Sequence, residues 1–176
     1  NATTTVIFTG AWNDPVKERA AAEALIEQGV DVIGQHVDTP AVQLVAQEKG
    51  IHATAHHRDM SEFAPKATLC SSIWLWDQFI GPELEKIAAG KWEPSPYGAF
   101  VHIGGGIDVA CCSDVVPADA KAKIMAERDA IIAGKHIYAG PISDTTGKER
   151  VPAGKELGDG DLWAMDWFIP GVISQK

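Results

Sequence analysis

No stretch of the chain approaches the ~18 consecutive apolar residues that a bilayer-spanning helix needs, so the sequence predicts no transmembrane segment. Cysteine is scarce, with 3 in 176 residues: Cys70, Cys111 and Cys112. An odd count is no disulfide framework. Neighbours such as Cys111 and Cys112 rarely bridge each other, because the peptide between them would be strained. Both read as buried structural thiols, since a nucleophilic role would need a base beside them, and cysteine usage taken alone points to the cytosol. Positive charge is also in short supply. The 15 Lys and Arg are outnumbered by 24 Asp and Glu, leaving a formal net charge of -9. With no basic stripe to neutralise phosphates, nucleic acid is excluded as a partner, and the dispersed acidity serves solubility. Familiar catalytic signatures are missing: there is no His-Glu-x-x-His, Walker A or Gly-x-Ser-x-Gly pattern. The triple glycine Gly104-Gly105-Gly106 lacks dinucleotide-binding spacing and a following helix. The chain opens Asn1-Ala2-Thr3 without an initiator Met, so it is expected to begin after processing or to be a fragment.

What is present is a plan repeated three times. An apolar run, Thr4-Thr5-Val6-Ile7-Phe8, leads into Thr9-Gly10-Ala11-Trp12-Asn13-Asp14-Pro15. A second, Asp31-Val32-Ile33-Gly34, leads into Gln35-His36-Val37-Asp38-Thr39-Pro40. A third, Ile51-His52-Ala53-Thr54-Ala55, leads into His56-His57-Arg58-Asp59. In an open parallel sheet, ligands sit beyond the carboxyl ends of the strands. The three turns are therefore expected on one edge, with Gly10, Trp12, His36, Asp38, His57 and Asp59 as candidate binding residues.

With 45% hydrophobic and 22% charged residues, the chain can bury a core and fits one domain. The first helix is expected from about Asp14 to Gln28, capped by Asn13 or Asp14 and stopped at Gly29. Val16, Ala20, Ala24, Leu25 and Ile26 would form its apolar face, with Glu18, Arg19, Glu23 and Glu27 mostly opposite. The second helix is expected from Pro40 or Ala41 to Lys49, with Thr39 as cap, Gly50 as stop, and Val42, Val45 and Ala46 inward. Short connections between these elements imply parallel strands and right-handed crossovers. Further on, the pattern predicts a strand over 68–73, a helix over 76–89, a loop over 93–96, and short strands over 99–103 and 107–111. A helix over 117–133 follows, then a hairpin built on 140–143 and 149–152, and a short helix over 161–168 closing the chain. The predicted fold class is α/β: an open, mainly parallel sheet flanked by helices, with a C-terminal hairpin and helix.

Each candidate has a structural reading beside its chemical one. Trp12 offers a flat face for stacking on a planar ligand, or packs over the sheet edge. Asp14 reads as a helix cap. Asp38 either caps the second helix or accepts hydrogen bonds from ligand hydroxyl or ring N–H groups. Several carboxylates on a rim of helix N-termini oppose phosphate binding, so a neutral ligand rich in donors fits better. His52, His56 and His57, with Cys70 as a further ligand, suggest a metal; but His52 and His56 fall on strand and turn, where they do not form a zincin-type pair, so no metal is expected. Trp74 and Trp76 bracket Leu75 and would share a face in an extended segment, as a ligand wall or as a core or interface patch. Trp163 and Trp167, four apart, read as a docking face.

Three segments resemble the BMP (basic membrane protein) family of ABC-transporter solute-binding proteins: residues 9–15, 28–40 and 58–66. So does the tail, at Ala139-Gly140-Pro141-Ile142-Ser143-Asp144, Gly147-Lys148-Glu149-Arg150-Val151-Pro152-Ala153-Gly154 and Met165-Asp166-Trp167-Phe168. The resemblance implies a type I periplasmic-binding-protein-like lobe with the whole of 1–176 as its C-terminal half, the N-terminal half being absent from this chain. It implies a purine base or nucleoside as ligand, bound in an interlobe cleft, an ABC permease as partner, a lipoprotein-like periplasmic or cell-surface location, and no catalysis and no cofactor. By the same resemblance Trp12 takes the place of an aromatic that stacks on the base, Asp38 an acidic position, and Trp74 and Trp76 a Trp-x-Trp near the crossing between lobes. The third turn departs: where the family tends to read Gly-Tyr-Asp-Ser-Asp-Met, this chain reads Ala55-His56-His57-Arg58-Asp59-Met60. A neutral imidazole cannot supply a carboxylate's pair of acceptors, so a free base such as adenine is favoured over a nucleoside. The stretch 98–116 departs most from the family pattern.

Two rival readings accompany this one. A half-length module could self-associate as a homo-oligomer or pair with a complementary lobe through the patch at Trp74 and Trp76. An enzyme could use the His and Cys positions with a metal.

Overall fold

The computed structural model describes residues 2–94, 102–111 and 113–175. They fall into two compact units, one of residues 2–8, 94 and 130–175, the other of residues 9–93, 102–111 and 113–129. The second unit carries the repeated strand–helix plan. Its strands β2 (Val32–Gly34), β3 (His52–Ala55), β4 (Thr68–Trp74) and β5 (Ile107–Ala110) form a four-stranded sheet in that order. Here β1 is reserved for Thr4–Ile7 in the first unit. β2, β3 and β4 run parallel and β5 is antiparallel to β4.

Helices α1 (Pro15–Glu27) and α2 (Ala41–Lys49) follow their predicted starts closely. Asp14 caps α1 by accepting the Lys17 N–H at 3.1 Å; at the start of α2 the cap position falls on Pro40 and not on the expected Thr39, whose hydroxyl still accepts the Ala41 N–H at 3.2 Å. Gly50 ends α2 at φ 73°, the left-handed conformation that glycine adopts without strain. Val42, Val45 and Ala46 are buried as expected. They meet Ala22 and Ile33 in one cluster and Ala53, Ala64 and Ala67 in another, with Ile51 packed against both. Val45 is fully buried, which stabilises the fold by about 1.5–3 kcal/mol relative to exposure.

The inward face of α1 differs from the expected one. Val16 is 78% exposed, whereas Glu18 is fully buried. The stripe that faces inward is Glu18, Ala22, Leu25 and Ile26. Periodicity assigned the carboxylate to solvent because it cannot see a partner 21 residues away: Glu18 accepts both the Asp14 N–H, at 3.1 Å, and the Thr39 hydroxyl. A buried carboxylate is tolerable when so bonded.

β4 and helix α3 (Trp76–Ala88) match their predicted spans within a residue or two. Of the run expected over 99–103, residues 99–101 lie outside the described residues, as do Ser95 and Pro96 of the expected loop; Ile103 makes an isolated bridge to Ile107. The antiparallel β4–β5 ladder pairs Ser71 with Ala110. One residue beyond, Cys70 and Cys111 stand opposite each other, 4.4 Å apart at Cα, and are joined by a disulfide. This corrects the reading of Cys111 as a buried thiol and removes Cys70 from any metal-ligand set. The sequence count could not show the bridge, because only the cross-strand register brings two cysteines 41 residues apart into contact. Cys112 lies outside the described residues. Helix α4 (Ala118–Ile132) follows, and Arg128 makes a bidentate pair with Asp108 of β5.

In the first unit, β1 pairs in parallel with β8 (Val172–Gln175), Thr4 opposite Val172. The expectation that β1 leads the sheet of β2 and β3 is thereby corrected. Val172-Ile173 is too short an apolar run to announce a strand, so its claim on β1 is invisible in the sequence. The expected hairpin forms from β6 (Ile142–Ser143) and β7 (Glu149–Val151). Its turn is organised by Asp144, which accepts from Thr146, Lys148 and Arg150. The closing helix α5 (Asp159–Trp163) starts earlier and is shorter than expected, so Trp163 and Trp167 do not share a helix face. Among the described residues no helix is long and apolar enough to cross a membrane.

Candidate functional site

The first turn is shaped by Gly10, at φ 70°, and by the Thr9 hydroxyl, which donates to the Ala11 carbonyl at 2.9 Å. It presents Trp12, 63% exposed. Two bonds tie it to the second turn. The Asp38 N–H donates to the Trp12 carbonyl at 2.8 Å, and Glu18 bridges Asp14 to Thr39.

The second turn is held from below by buried amides. Gln35 accepts the Val37 N–H at 2.9 Å and donates to Gln43 at 3.3 Å; Gln43 donates to the Thr54 carbonyl at 3.1 Å. The β2–β3 register pairs Val32 with His52 and Gly34 with Thr54. Extending it two residues sets His36 beside His56.

The third turn is a γ-turn: the Arg58 N–H donates to the His56 carbonyl at 2.9 Å, and His57 between them has φ 59°. A positive-φ γ-turn is rare and strained. The turn is fastened on two sides. The His57 carbonyl accepts the Trp74 N–H at 3.0 Å, and His57 Nε2 lies 3.0 Å from the Asp38 carbonyl oxygen and 3.8 Å from its carboxylate.

The result is a continuous cluster of rings. His36 stacks on His56 with centroids 3.9 Å apart and planes 20° from parallel. Trp12 tilts against His36 at 5.7 Å. Trp74 and His57 meet His56 edge-on at 5.4 and 5.6 Å, and Trp76 meets Trp74 at 4.7 Å. His56 is buried, while His36, Trp12, Trp74 and Trp76 are exposed. Burial, with the neighbouring His36 and His57 imidazoles, pulls the His56 pKa down from 6.5 to about 4, against a small opposing pull from Asp38. The ring at the centre is neutral at pH 7.

The structure thus brings Trp12, His36, Asp38, His57, Trp74 and Trp76 into one neighbourhood, with Gly10 shaping the first turn. Asp59 serves its own loop, accepting the Ser61 N–H at 2.9 Å. Sequence reasoning considered His56 only as a metal ligand and passed over Glu18 and Gln35. The signal for His56 was available: the offset of 20 between equivalent positions of the second and third repeats pairs it with His36.

The arrangement can hold a flat molecule against exposed aromatic faces and offer it carbonyl and carboxylate acceptors. A family model for Bmp, the PnrA-like ABC transporter substrate-binding proteins, matches residues 1–127. The chain belongs to this family. The Bmp chain is 32% identical over 169 residues to the purine-binding protein BAB2_0673 of Brucella abortus, covering 95% of this chain and 47% of that protein. It is 38% identical over 103 residues to TsgA13 of Haloferax volcanii, named a putative ABC transporter glucose-binding protein, covering 58% of this chain and 26% of that protein. The chain therefore spans half or less of the length of the curated relatives it matches. Among solved structures it resembles a transcriptional activator of the comK gene from Bacillus halodurans, with TM-score 0.60 and 21% identity, over 71% of this chain and 44% of the other. It also resembles an ABC transporter solute-binding protein of Aeropyrum pernix, with TM-score 0.53 and 16% identity, over 82% and 48%. These two likenesses concern the fold, which is α/β in this Bmp chain as the sequence pattern predicts.

Proposed function

We propose that this chain is the C-terminal, ligand-binding half of an ABC substrate-binding protein, and that its ring cluster grips a purine base without transforming it. The observation that carries the reading is the convergence of three turns on Trp12, His36, His56 and Trp74, with Asp38 beside them. Stacking suits any planar heteroaromatic. A sugar would ask for paired carboxylate acceptors, and the third turn offers an imidazole at His57. That favours adenine or xanthine over guanosine, and over the glucose named for one relative. Tight binding would come from a second lobe closing over the ligand, so the partners proposed are a complementary half and an ABC permease. The Cys70–Cys111 bridge supports an extracytoplasmic site of action, since disulfides persist in oxidising compartments.

Titration calorimetry with adenine, xanthine, guanosine and glucose tests the reading. Weak binding of the free bases is expected, lost in Trp12→Ala, with little heat from guanosine and none from glucose. Binding of glucose alone would overturn the purine assignment, and tight binding to the isolated monomer would overturn the two-lobe account.

A second reading, an interaction module that pairs with itself or with a complementary lobe, is favoured by one observation: α3 carries an exposed apolar stripe of Trp76, Ile80, Leu84 and Ile87.

A further inference from the structure

The His36–His56 stack is more than a wall of the cluster. It is one of the side-chain contacts that close the second turn onto the third, beside the reach of His57 Nε2 to Asp38, and both of its members are imidazoles. One ring is exposed and lies flat on the other, which is buried, at 3.9 Å. Two imidazolium rings cannot share that spacing without strong like-charge repulsion. The groups around the pair offer little compensation. From the second turn comes the Asp38 carboxylate, which lies 3.8 Å from His57 Nε2. From the third come His57 itself, Arg58, which is paired with Glu62, and Asp59, which is bonded to the Ser61 N–H. The carboxylate nearest in sequence on the first turn, Asp14, is paired with Lys17 at 3.3 Å. From β4 comes only the uncharged indole of Trp74.

We propose that the His36–His56 stack is a proton-operated latch on the candidate site: neutral rings hold the second and third turns together, and protonation in acid parts them, frees Trp12 and Trp74 to reorient, and releases ligand. The release step rests on the solute-binding reading above; the parting of the rings does not. The sign of the effect follows from the buried member. Its pKa is depressed from 6.5 to about 4 in the fold, so the unfolded or unlatched chain binds the proton more readily. The closed state is fully favoured above pH 6.5 and loses ground as pH falls from 6.5 toward 4.

The test follows the indole N–H signals of Trp12 and Trp74 and the His56 ring proton by NMR from pH 8 to 4, first with no ligand. Both indole signals are expected to move together with the His56 titration, at a midpoint below 6.5, while the amide signals of α1 and α2 stay in place. His56→Phe, which keeps an aromatic ring in the buried position, is expected to lose most of the indole movement, and His36→Phe to shift its midpoint. Indole signals that stay fixed, or that move at a midpoint unrelated to the His56 ring, would overturn the latch, and the wild-type comparison decides this even if a variant fails to fold. In a second arm, adenine affinity is expected to fall about tenfold between pH 7 and 5, the equivalent of one pKa unit of coupling, and to change less than about twofold in His56→Phe. Coupled indole and His56 shifts without adenine binding at any pH would support the latch and refute the purine reading. Adenine binding independent of pH, with fixed indoles, would refute the latch alone.

Discussion

His57 holds an unusual position for a residue with a side chain. Its φ of 59° places it where an L-residue bears about 1–2 kcal/mol of steric cost and glycine bears none. The position persists because both ends of the residue are occupied: the carbonyl takes the Trp74 N–H, and the ring reaches the Asp38 carbonyl. Strain held this way at the candidate site would keep the turn in one shape for the recognition proposed above. The two contributions separate experimentally. His57→Ala loses the ring and keeps the strain; His57→Gly loses the ring and relieves the strain. Urea unfolding should find the glycine variant more stable than the alanine variant by about 1 kcal/mol. Equal stabilities would mean that the turn relaxes when the ring is removed. Glu18 illustrates the opposite arrangement, a buried carboxylate satisfied by the Asp14 N–H and the Thr39 hydroxyl, so that one side chain sets the distance between the Trp12 turn and the His36 turn.

Among elements, the β4–β5 ladder depends on more than its backbone bonds. β5 has four residues and runs antiparallel on the edge of an otherwise parallel sheet, and the Cys70–Cys111 bridge closes a separation of 41 residues at its end. A loop of that length is worth about 4 kcal/mol by chain entropy, with measured bridges commonly giving 2–4. Cys70→Ala with Cys111→Ala should therefore lower unfolding stability by a few kcal/mol, and the unfolded wild type should titrate two fewer thiols without reductant than with it. Equal thiol counts would show that the bridge does not form. This ladder also marks the limit of what the sequence could disclose. The parallel core was legible because α1, α2, β2 and β3 each carry their own caps, stops and apolar periods, all local signals. The inward face of α1, the disulfide, the partner of β1 and the burial of His56 depend on which distant segment arrives alongside, and no window of sequence contains that. The convergence of the three turns was legible for a different reason: repeated strand–turn units place equivalent positions side by side, so a turn-by-turn reading expected Trp12, His36, Asp38 and His57 to lie together, as they do, even though β1 joins β8 instead of β2.

At the scale of the whole molecule, the decisive feature is helix α3. It has no buried residue, and Trp76, Ile80, Leu84 and Ile87 are 52, 41, 58 and 56% exposed. Their spacing of four, four and three puts them on one face, and contiguous apolar surface of this kind marks an interaction site more often than an idle one. The chain spans 47% of the length of its Brucella relative; on the interaction-module reading proposed above, a complementary lobe or a second copy would cover this face. Magnitudes set what a second copy must do. Association costs roughly 4–15 kcal/mol of lost freedom, and apolar burial returns about 25 cal/mol per Å². Even a dissociation constant of about 1 mM, near 4 kcal/mol, thus requires a few hundred Å² of well-fitted contact, which four side chains reach only if all of them are covered at once. A single charge in the stripe should then abolish pairing. Sedimentation velocity is expected to show self-association that strengthens with protein concentration in the wild type and is absent in Leu84→Lys, with the His36–His56 ring signals unchanged in that variant because Leu84 lies about two helical turns beyond Trp76, through which α3 joins the ring cluster. A wild type that remains monomeric at millimolar concentration would leave this face to a different chain, and tight purine binding on adding that chain would support the proposed complementary lobe.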